Sequence, residues 1–366
     1  MKIYLVGGAI RDRLLGLEPT EKDWVVVDSD QKELLSLGYK QVGKQFPVFL
    51  HPDTSEEYAL ARVEKKTTKG HKGFEFVTSK DVTLKQDLLR RDLTINAIAQ
   101  DKNGKFIDPY NGLIDLENRV MRHVSDAFVE DPLRVFRVAR FYAKYKQYGF
   151  TIHESTYKIM QKISNSNEIE TLSKERLWGE ISKAFNTENP WMFFEVLINS
   201  NVAKKYFPEL IQNDYIKNKI IYFSNKEIDK NILLSILGFS IDFIESFGFP
   251  KKILDLYFMF NEFSTKFITL NIDKKSILDF LNSLDAFRRP ERLRIFLIQI
   301  QYFLNFHNME KEREKVKIFS DINTIIDKKI EYGDLKNLNV NQIKERVEHI
   351  NLNIINLVLS KKDNQS

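Results

Sequence analysis

Up to about residue 120 the apolar positions come in short runs cut by Gly, Pro and Asp. The runs at Lys2 to Val6, Trp24 to Val27, Pro47 to Leu50, Glu57 to Ala61 and Phe74 to Val77 predict strands. Residues 8–16, 31–37 and 94–99 carry helical spacing between them. From about residue 126 the period is helical throughout, with breaks at Asn189-Pro190, Phe207-Pro208, Phe249-Pro250 and Arg289-Pro290. The pattern predicts an α+β chain in three parts: a mixed-sheet head over 1–125, a helical neck and body over 126–215, and a helical tail over 216–366.

Composition narrows the class. A chain of 366 residues can bury a sizeable core and hold two or three domains. The absence of Cys excludes disulfides, thiolate metal ligands and thiol catalysis, and fits a reducing cytosol. No signal-peptide pattern and no long uncharged apolar run is found, so a cytoplasmic protein without membrane association is expected. A net charge of +5 is compatible with a polyanionic partner without requiring one.

The first thirty residues carry the chemistry. Leu5-Val-Gly-Gly-Ala-Ile-Arg11-Asp reads as a strand, a glycine turn and a helix start, and Glu21-Lys-Asp23-Trp-Val-Val-Val as a second strand opening on two carboxylates. On a strand, positions i and i+2 face the same way about 7 Å apart. Gly7 and Gly8 would let backbone approach a phosphate, helped by the N–H groups of the helix they open. Arg11, one turn in, can clamp phosphate with two donors. A phosphate cradle facing a carboxylate pair fits nucleotidyl transfer, where two metals about 3.5 to 4 Å apart hold the attacking and leaving oxygens. Without that context, an acidic pair at a strand start is a solvated strand end.

Three further segments bear on this site. Residues 63–73 are polar and glycine-punctuated, Lys65, Lys66, Lys69 and Lys72 among them, and read either as a mobile loop that closes on substrate or as a hairpin tip without a role. Arg90-Arg91-Asp92 precedes a helical stretch; Asp92 suits its N-cap, and Arg91 can reach a triphosphate. In Glu130-Asp131-Pro132-Leu-Arg134-Val-Phe-Arg137-Val-Ala-Arg140-Phe141, Asp131 suits an N-cap and Pro132 the first turn. Arg134, Arg137 and Arg140 then form a stripe about 120° wide, with Leu133, Val135, Phe136, Val138 and Phe141 expected on the other side. Cytosine and adenine both show an amino donor beside a ring-nitrogen acceptor. A carboxylate beside an arginine, as in Asp131 and Arg134, matches those edges and opposes those of uracil and guanine.

With Glu57-Tyr-Ala-Leu-Ala-Arg62, Arg91-Asp-Leu-Thr-Ile-Asn-Ala and Asp108-Pro-Tyr-Asn-Gly112 added, the ordered motifs resemble those of the bacterial class II tRNA nucleotidyltransferases, the CCA-adding enzymes, and most closely their gammaproteobacterial branch. The likeness covers residues 1 to about 210. It implies a polymerase-beta-like nucleotidyltransferase head and addition of C, C and A to the tRNA 3′ end from CTP and ATP, with release of pyrophosphate. Glu21 and Asp23 would be the catalytic carboxylates binding Mg2+; Gly8, Arg11 and Arg91 would hold triphosphate and sugar; Asp131, Arg134, Arg137 and Arg140 would form the nucleotide-selecting helix. A monomer is expected, with a homodimer as the alternative.

The chain departs from that pattern twice. The family has Asp where Glu21 stands; the extra methylene keeps a hard oxygen ligand but shifts its reach. Long members carry a metal-dependent phosphohydrolase domain marked by a His-Asp pair, whereas this chain has no His-Asp dipeptide and shows Ile232-Leu-Leu-Ser-Ile-Leu-Gly-Phe-Ser240 in its place. Ile277 to Arg292 still resembles the segment that follows. The expectation is a degenerate remnant that packs, binds tRNA and hydrolyses nothing. Tyr302, Phe303 and Phe306 with Lys311, Arg313, Lys315 and Lys317 fit either tRNA contact or core aromatics with solvated lysines, the second being favoured. Two other functions stay open: a poly(A) polymerase or partial C- or A-adding enzyme, and a catalytically inert tRNA-binding protein.

Overall fold

The computed structural model describes residues 1–19, 21–43, 48–66, 74–78, 80–224, 226–328, 330, 333 and 338–363. The chain divides into two compact units, residues 1–224 and 225–366.

The first unit opens with a seven-stranded sheet. Its strands are β1 (Lys2–Val6), β2 (Asp23–Val27), β3 (Lys40–Val42), β4 (Val48–Leu50), β5 (Glu57–Leu60), and, after a two-stranded ribbon of β6 (Arg62–Lys66) and β7 (Phe74–Thr78), β8 (Ala99–Gln100) and β9 (Phe106–Ile107). The order is β3-β4-β5-β2-β1-β8-β9, and only β2 and β5 run parallel. That register brings three points to one sheet edge: Val6 at the end of β1 pairs with Asp23 at the start of β2, which pairs with Glu57 at the start of β5. The Gly7-Gly8 turn therefore leaves the sheet beside Asp23.

Alternation assigns the faces. Val6, Val25 and Val27 pack on one side with Ala61, Val82, Leu88, Ala97 and Ala99, while Val26, Leu34, Phe49, Tyr58 and Leu60 pack on the other. Asp23 continues the first face beyond its apolar part. α1 (Gly8–Leu14), α2 (Gln31–Ser36), α3 (Leu84–Leu89) and α4 (Gly112–Glu117) cover the sheet or its end. Two predicted features differ. Residues 94–99 are not a helix but a 3-10 turn, Thr94–Asn96, running into β8, because Ala99 pairs with Val6. Of the predicted 63–73 loop, 63–66 belong to β6 and 67–73 lie outside the described residues.

Past a short parallel pair, β10 (Val120–Met121) with β11 (Thr151–Ile152), the unit is helical. α5 (Leu133–Tyr145) is covered by α7 (Lys174–Ala184) and α8 (Pro190–Asn199), with α6 (Glu154–Ser164) between α5 and α7 in the chain, and α9 (Ala203–Tyr206), α10 (Glu209–Gln212) and α11 (Asp214–Ser224) close the unit. Phe136 at its core meets Phe193 at 6.4 Å and Tyr206 at 5.5 Å between ring centres.

The second unit runs through α12 (Lys230–Ile236), α13 (Ile241–Phe247), α14 (Lys251–Ile268), α15 (Lys274–Ser283), α16 (Pro290–Phe306), α17 (Glu310–Ile326) and α18 (Val340–Asp363). All four X-Pro breaks predicted from sequence fall at helix starts: α8, α10, α14 and α16. Phe263, Phe267, Phe280, Phe296 and Phe319 form one aromatic core. On α16 Gln299 is fully buried and donates to Ser235 of α12 and to the Leu256 carbonyl of α14.

Candidate active site

A cleft of about 590 Å³ opens in the first unit between the sheet edge and helices α5 and α7. Among the described residues its lining holds ten Arg or Lys side chains against five Asp or Glu, so the walls carry surplus positive charge for a polyanion. Every residue predicted from sequence to act at the site lines it: Gly8, Arg11, Glu21, Asp23, Arg91, Asp131, Arg134, Arg137 and Arg140.

At one end stands the glycine turn. Gly7 has φ of 72°, and a Cβ there would sit 2.9 Å from Nη1 of Arg91, so the residue must be glycine for the arginine to lie against the turn. Gly7 N–H donates to the Ile98 carbonyl at 3.2 Å, fastening the turn to the chain entering β8.

Asp23 opens β2 and faces the cleft. Glu21 lies two residues ahead of the strand, so strand alternation does not relate the pair as the sequence suggested; ladder pairing starts only where Asp23 finds Val6 and Glu57. The two carboxylates are nonetheless close enough to feel each other. The surrounding protein, and next to it the Glu21 charge, raise the Asp23 carboxyl above its usual value, opposed by the Arg91 and Arg137 charges. Parallel pairing also sets Glu57 next to Asp23 on the same sheet face.

The arginines are held by buried carboxylates, of which sequence reasoning passed over Asp12 and Asp87 and read Asp92 as a helix cap. Asp87, only 1% exposed, accepts from Arg90 at 3.2 Å, Arg91 at 3.4 Å and the Arg62 backbone N–H at 3.3 Å. Burial alone would raise its carboxyl, but these arginines bring it below the ordinary range. Asp92 is not a helix cap: its Oδ1 accepts from Leu93 N–H at 2.8 Å and Asn96 Nδ2 at 2.9 Å, and its Oδ2 from Arg137 Nε at 2.8 Å. Here too burial is outweighed, by the Arg137 charge and the hydrogen bonds, and the carboxyl is held far below its usual value. Asp12 accepts from Arg11 Nε at 2.9 Å, the Tyr145 hydroxyl at 2.5 Å and Lys144 at 3.2 Å. Arg11 is thereby buried, its guanidinium 4.6 Å from the centre of the Tyr145 ring and donating to Asn96 Oδ1.

α5 forms the opposite wall. Asp131 acts as expected of an N-cap, its Oδ1 accepting from Leu133 N–H at 3.1 Å, while its Oδ2 pairs with Arg176 of α7 at 2.8 Å. Arg134 is 6% exposed and donates to the carbonyls of Ala127 at 2.6 Å and Arg90 at 2.7 Å. Arg140 donates to Glu180 of α7 at 2.5 Å. Phe141 does not face away from the arginines: at i+7 from Arg134 it returns to their stripe, and the guanidiniums of Arg11, Arg137 and Arg140 lie 5.0, 5.5 and 4.2 Å from its ring centre. Sequence reasoning did not single out Asp12, Asp87, Asn96, Arg176, Lys144 or Lys183. Asp12 and Asn96 sat inside runs already quoted; nothing local to α7 marked Arg176 or Lys183.

Comparison with known proteins bears on the fold that carries this cleft. Residues 3–122 match the family described as the poly A polymerase head domain, and residues 149–213 that described as the probable RNA and SrmB-binding site of polymerase A. The Bacillus stearothermophilus CCA-adding enzyme in complex with CTP is similar at a TM-score of 0.63 and 20% identity, over 99% of this chain and 94% of that one. The Thermotoga maritima CCA-adding enzyme complexed with tRNA gives 0.61 and 19%, over 98% and 91%. A tRNA-processing enzyme with CTP gives 0.56 and 22%, over 97% of each chain. The chain thus has the fold of the CCA-adding enzymes, and the poly A polymerase head domain match spans the strands and turns that build one wall of its cleft.

Proposed function

We propose that the protein is a tRNA nucleotidyltransferase that adds C, C and A to tRNA 3′ ends from CTP and ATP. The observation that carries this is the pair Glu21 and Asp23, two exposed carboxylates that make no hydrogen bond among the described residues and line an arginine-rich cleft, beside a glycine turn within the head-domain match. The donor set suits a divalent cation: both ligands are hard oxygens, and a cation would offset the desolvation and the Glu21 charge that raise Asp23. In this reading Mg2+ at Glu21 and Asp23 supplies charge neutralisation at the reacting phosphate. Arg91, braced by Asp87, and Arg11, braced by Asp12 and Asn96, hold the triphosphate against the turn. The tRNA 3′ hydroxyl gives up its proton to solvent and its oxygen bonds to the α-phosphorus as the bond from that phosphorus to the bridging oxygen of the β-phosphate breaks and pyrophosphate leaves. Before that step Asp131 with Arg134, Arg137 and Arg140 would read the base edge, which requires the Asp131–Arg176 pair and the Arg134 contacts to the Ala127 and Arg90 carbonyls to open for the base; the fold shared with structures holding CTP and tRNA is what supports a nucleotide at this wall.

The second unit is read as a tRNA-binding body that descends from a phosphohydrolase domain without its activity. α12 supports this: where that domain would place its His-Asp pair, Leu233, Leu234 and Ile236 fill the interior.

The test is a tRNA ending at the discriminator base, incubated with Mg2+ and CTP, ATP or both. CTP alone should give a short C extension, and both together a CCA end that accepts no more. Unlimited A addition would make the protein a poly(A) polymerase, a reading the head-domain match also permits. Retention of tRNA with no addition by wild type would make it a binding protein.

A further inference from the structure

Arg11 and Arg137 come from different elements, α1 and α5, yet one amide joins them. Asn96 is 5% exposed on the 3-10 turn before β8. Its Oδ1 accepts from Arg11 Nη1, and its Nδ2 donates at 2.9 Å to Asp92, whose other oxygen holds Arg137 Nε at 2.8 Å. Its backbone carbonyl accepts from Arg91 Nη1 at 3.3 Å. Arg11 and Arg137 also meet on the same Phe141 ring. A single residue therefore touches Arg11 and Arg91 directly and Arg137 through one carboxylate.

We infer that Asn96 is a positioning residue that sets these three arginines relative to one another, so that base selection by α5 depends on the same amide as triphosphate placement. The inference rests on the nucleotidyl-transfer reading above. The chemistry is specific to an amide: Asn offers one acceptor and one donor end, which serve a guanidinium and a carboxylate at once. A carboxylate at this position would still receive Arg11 but would stand against Asp92 in a buried site, where like charges repel strongly.

The network predicts its own repair. Asn96→Asp keeps the acceptor for Arg11 and breaks the link to Asp92. Adding Asp92→Asn exchanges the two groups: the new amide donates to the carboxylate at position 96 and its oxygen still accepts from Arg137, while the Leu93 N–H loses the acceptor it has in Asp92 Oδ1, so Tm should recover less than selection does. Steady-state addition to tRNA is measured with CTP, ATP, UTP and GTP, together with Tm. Asn96→Asp should raise KM for CTP and ATP and reduce the preference for CTP over UTP, each on the order of tenfold to a hundredfold. The exchanged pair should recover most of both. An unaltered KM and preference in Asn96→Asp would overturn the inference. So would an exchanged pair whose Tm recovers while its selection does not, because that is what a purely architectural asparagine gives. If Asn96→Asp does not fold, Asn96→Ser and the exchanged pair carry the same comparison. Inactive wild type removes the function reading and this inference with it, whereas active wild type with an indifferent Asn96→Asp removes the inference alone.

Discussion

Asp23 is the residue where activity and stability oppose each other. Its carboxyl, exposed to the cleft but partly desolvated by the protein around it, is raised by that desolvation and by Glu21, so ionised Asp23 costs some stability: the contribution is favourable below its unfolded value and is lost as pH rises through its folded value. Asp23→Asn should therefore abolish nucleotide addition while leaving Tm at neutral pH equal or higher, checked by scanning calorimetry. Millimolar Mg2+ should raise the Tm of wild type and leave Asp23→Asn unmoved, since only a bound ligand shifts unfolding. Asp92 and Asp87 run the opposite way. Their lowered carboxyls give stability that is complete above the unfolded value near about pH 4 and that drains away as pH falls toward the folded values. An acid titration followed by circular dichroism should show this loss in wild type and a shallower one in Asp92→Asn. At neutral pH Asp92→Ala, which takes the acceptor from the half-buried Arg137 and from the buried Leu93 N–H and Asn96 amide, should cost about 1–3 kcal/mol. Much of the site was legible at this scale, because Gly8, Arg11, Asp23, Arg91 and Asp131 lie in local runs whose spacing encodes their placement. The buried carboxylates were not: Asp12 finds Tyr145 and Asp87 finds the Arg62 backbone only after folding, and no local pattern announces either partner.

Among the elements, the 3-10 turn at Thr94–Asn96 is the tightest piece of construction. α4 approaches it so closely that a Cβ on Gly112 would stand 2.2 Å from the Thr94 carbonyl oxygen. The Asp108 carboxylate caps the same helix start, accepting from Gly112 at 2.8 Å and Leu113 at 2.9 Å. Gly112→Ala must move backbone, and should cost about 1–3 kcal/mol or more and weaken CTP binding through the displaced Asn96. Chemical denaturation and calorimetric titration of CTP measure the two. On α5, Phe136→Ala should destabilise the first unit by about 3–5 kcal/mol, read from the denaturation midpoint, since it empties a fully buried site between Phe193 and Tyr206. The helical half was readable because Pro marks where several of its helices start. The residues from 94 to 99 were not, because their apolar spacing fits a helix and only the pairing of Ala99 with Val6 makes the last of them a strand.

At the level of the whole molecule, surplus charge on the cleft walls predicts salt-sensitive tRNA binding, with log affinity falling linearly in log salt. Not every lysine shares in it. Lys315, one of the cations grouped with the tail aromatics from sequence, donates at 2.5 Å to the Ile268 carbonyl at the end of α14. Lys315→Ala should lower Tm by an amount matching about 1–2 kcal/mol and leave the salt slope of tRNA binding unchanged, as filter binding at several salt concentrations would show. The same tie to distant partners has a consequence for biosynthesis. Asp12 leaves the ribosome 133 positions ahead of Tyr145, and Asp131 emerges 45 positions ahead of Arg176. During translation at about 5–20 residues per second the charged floor of the cleft waits many seconds for the helices that neutralise it. A nascent chain arrested before α7 should expose these carboxylates and arginines to solvent, and pulse proteolysis of stalled chains would find the sheet edge protected only once residue 176 has cleared the exit tunnel.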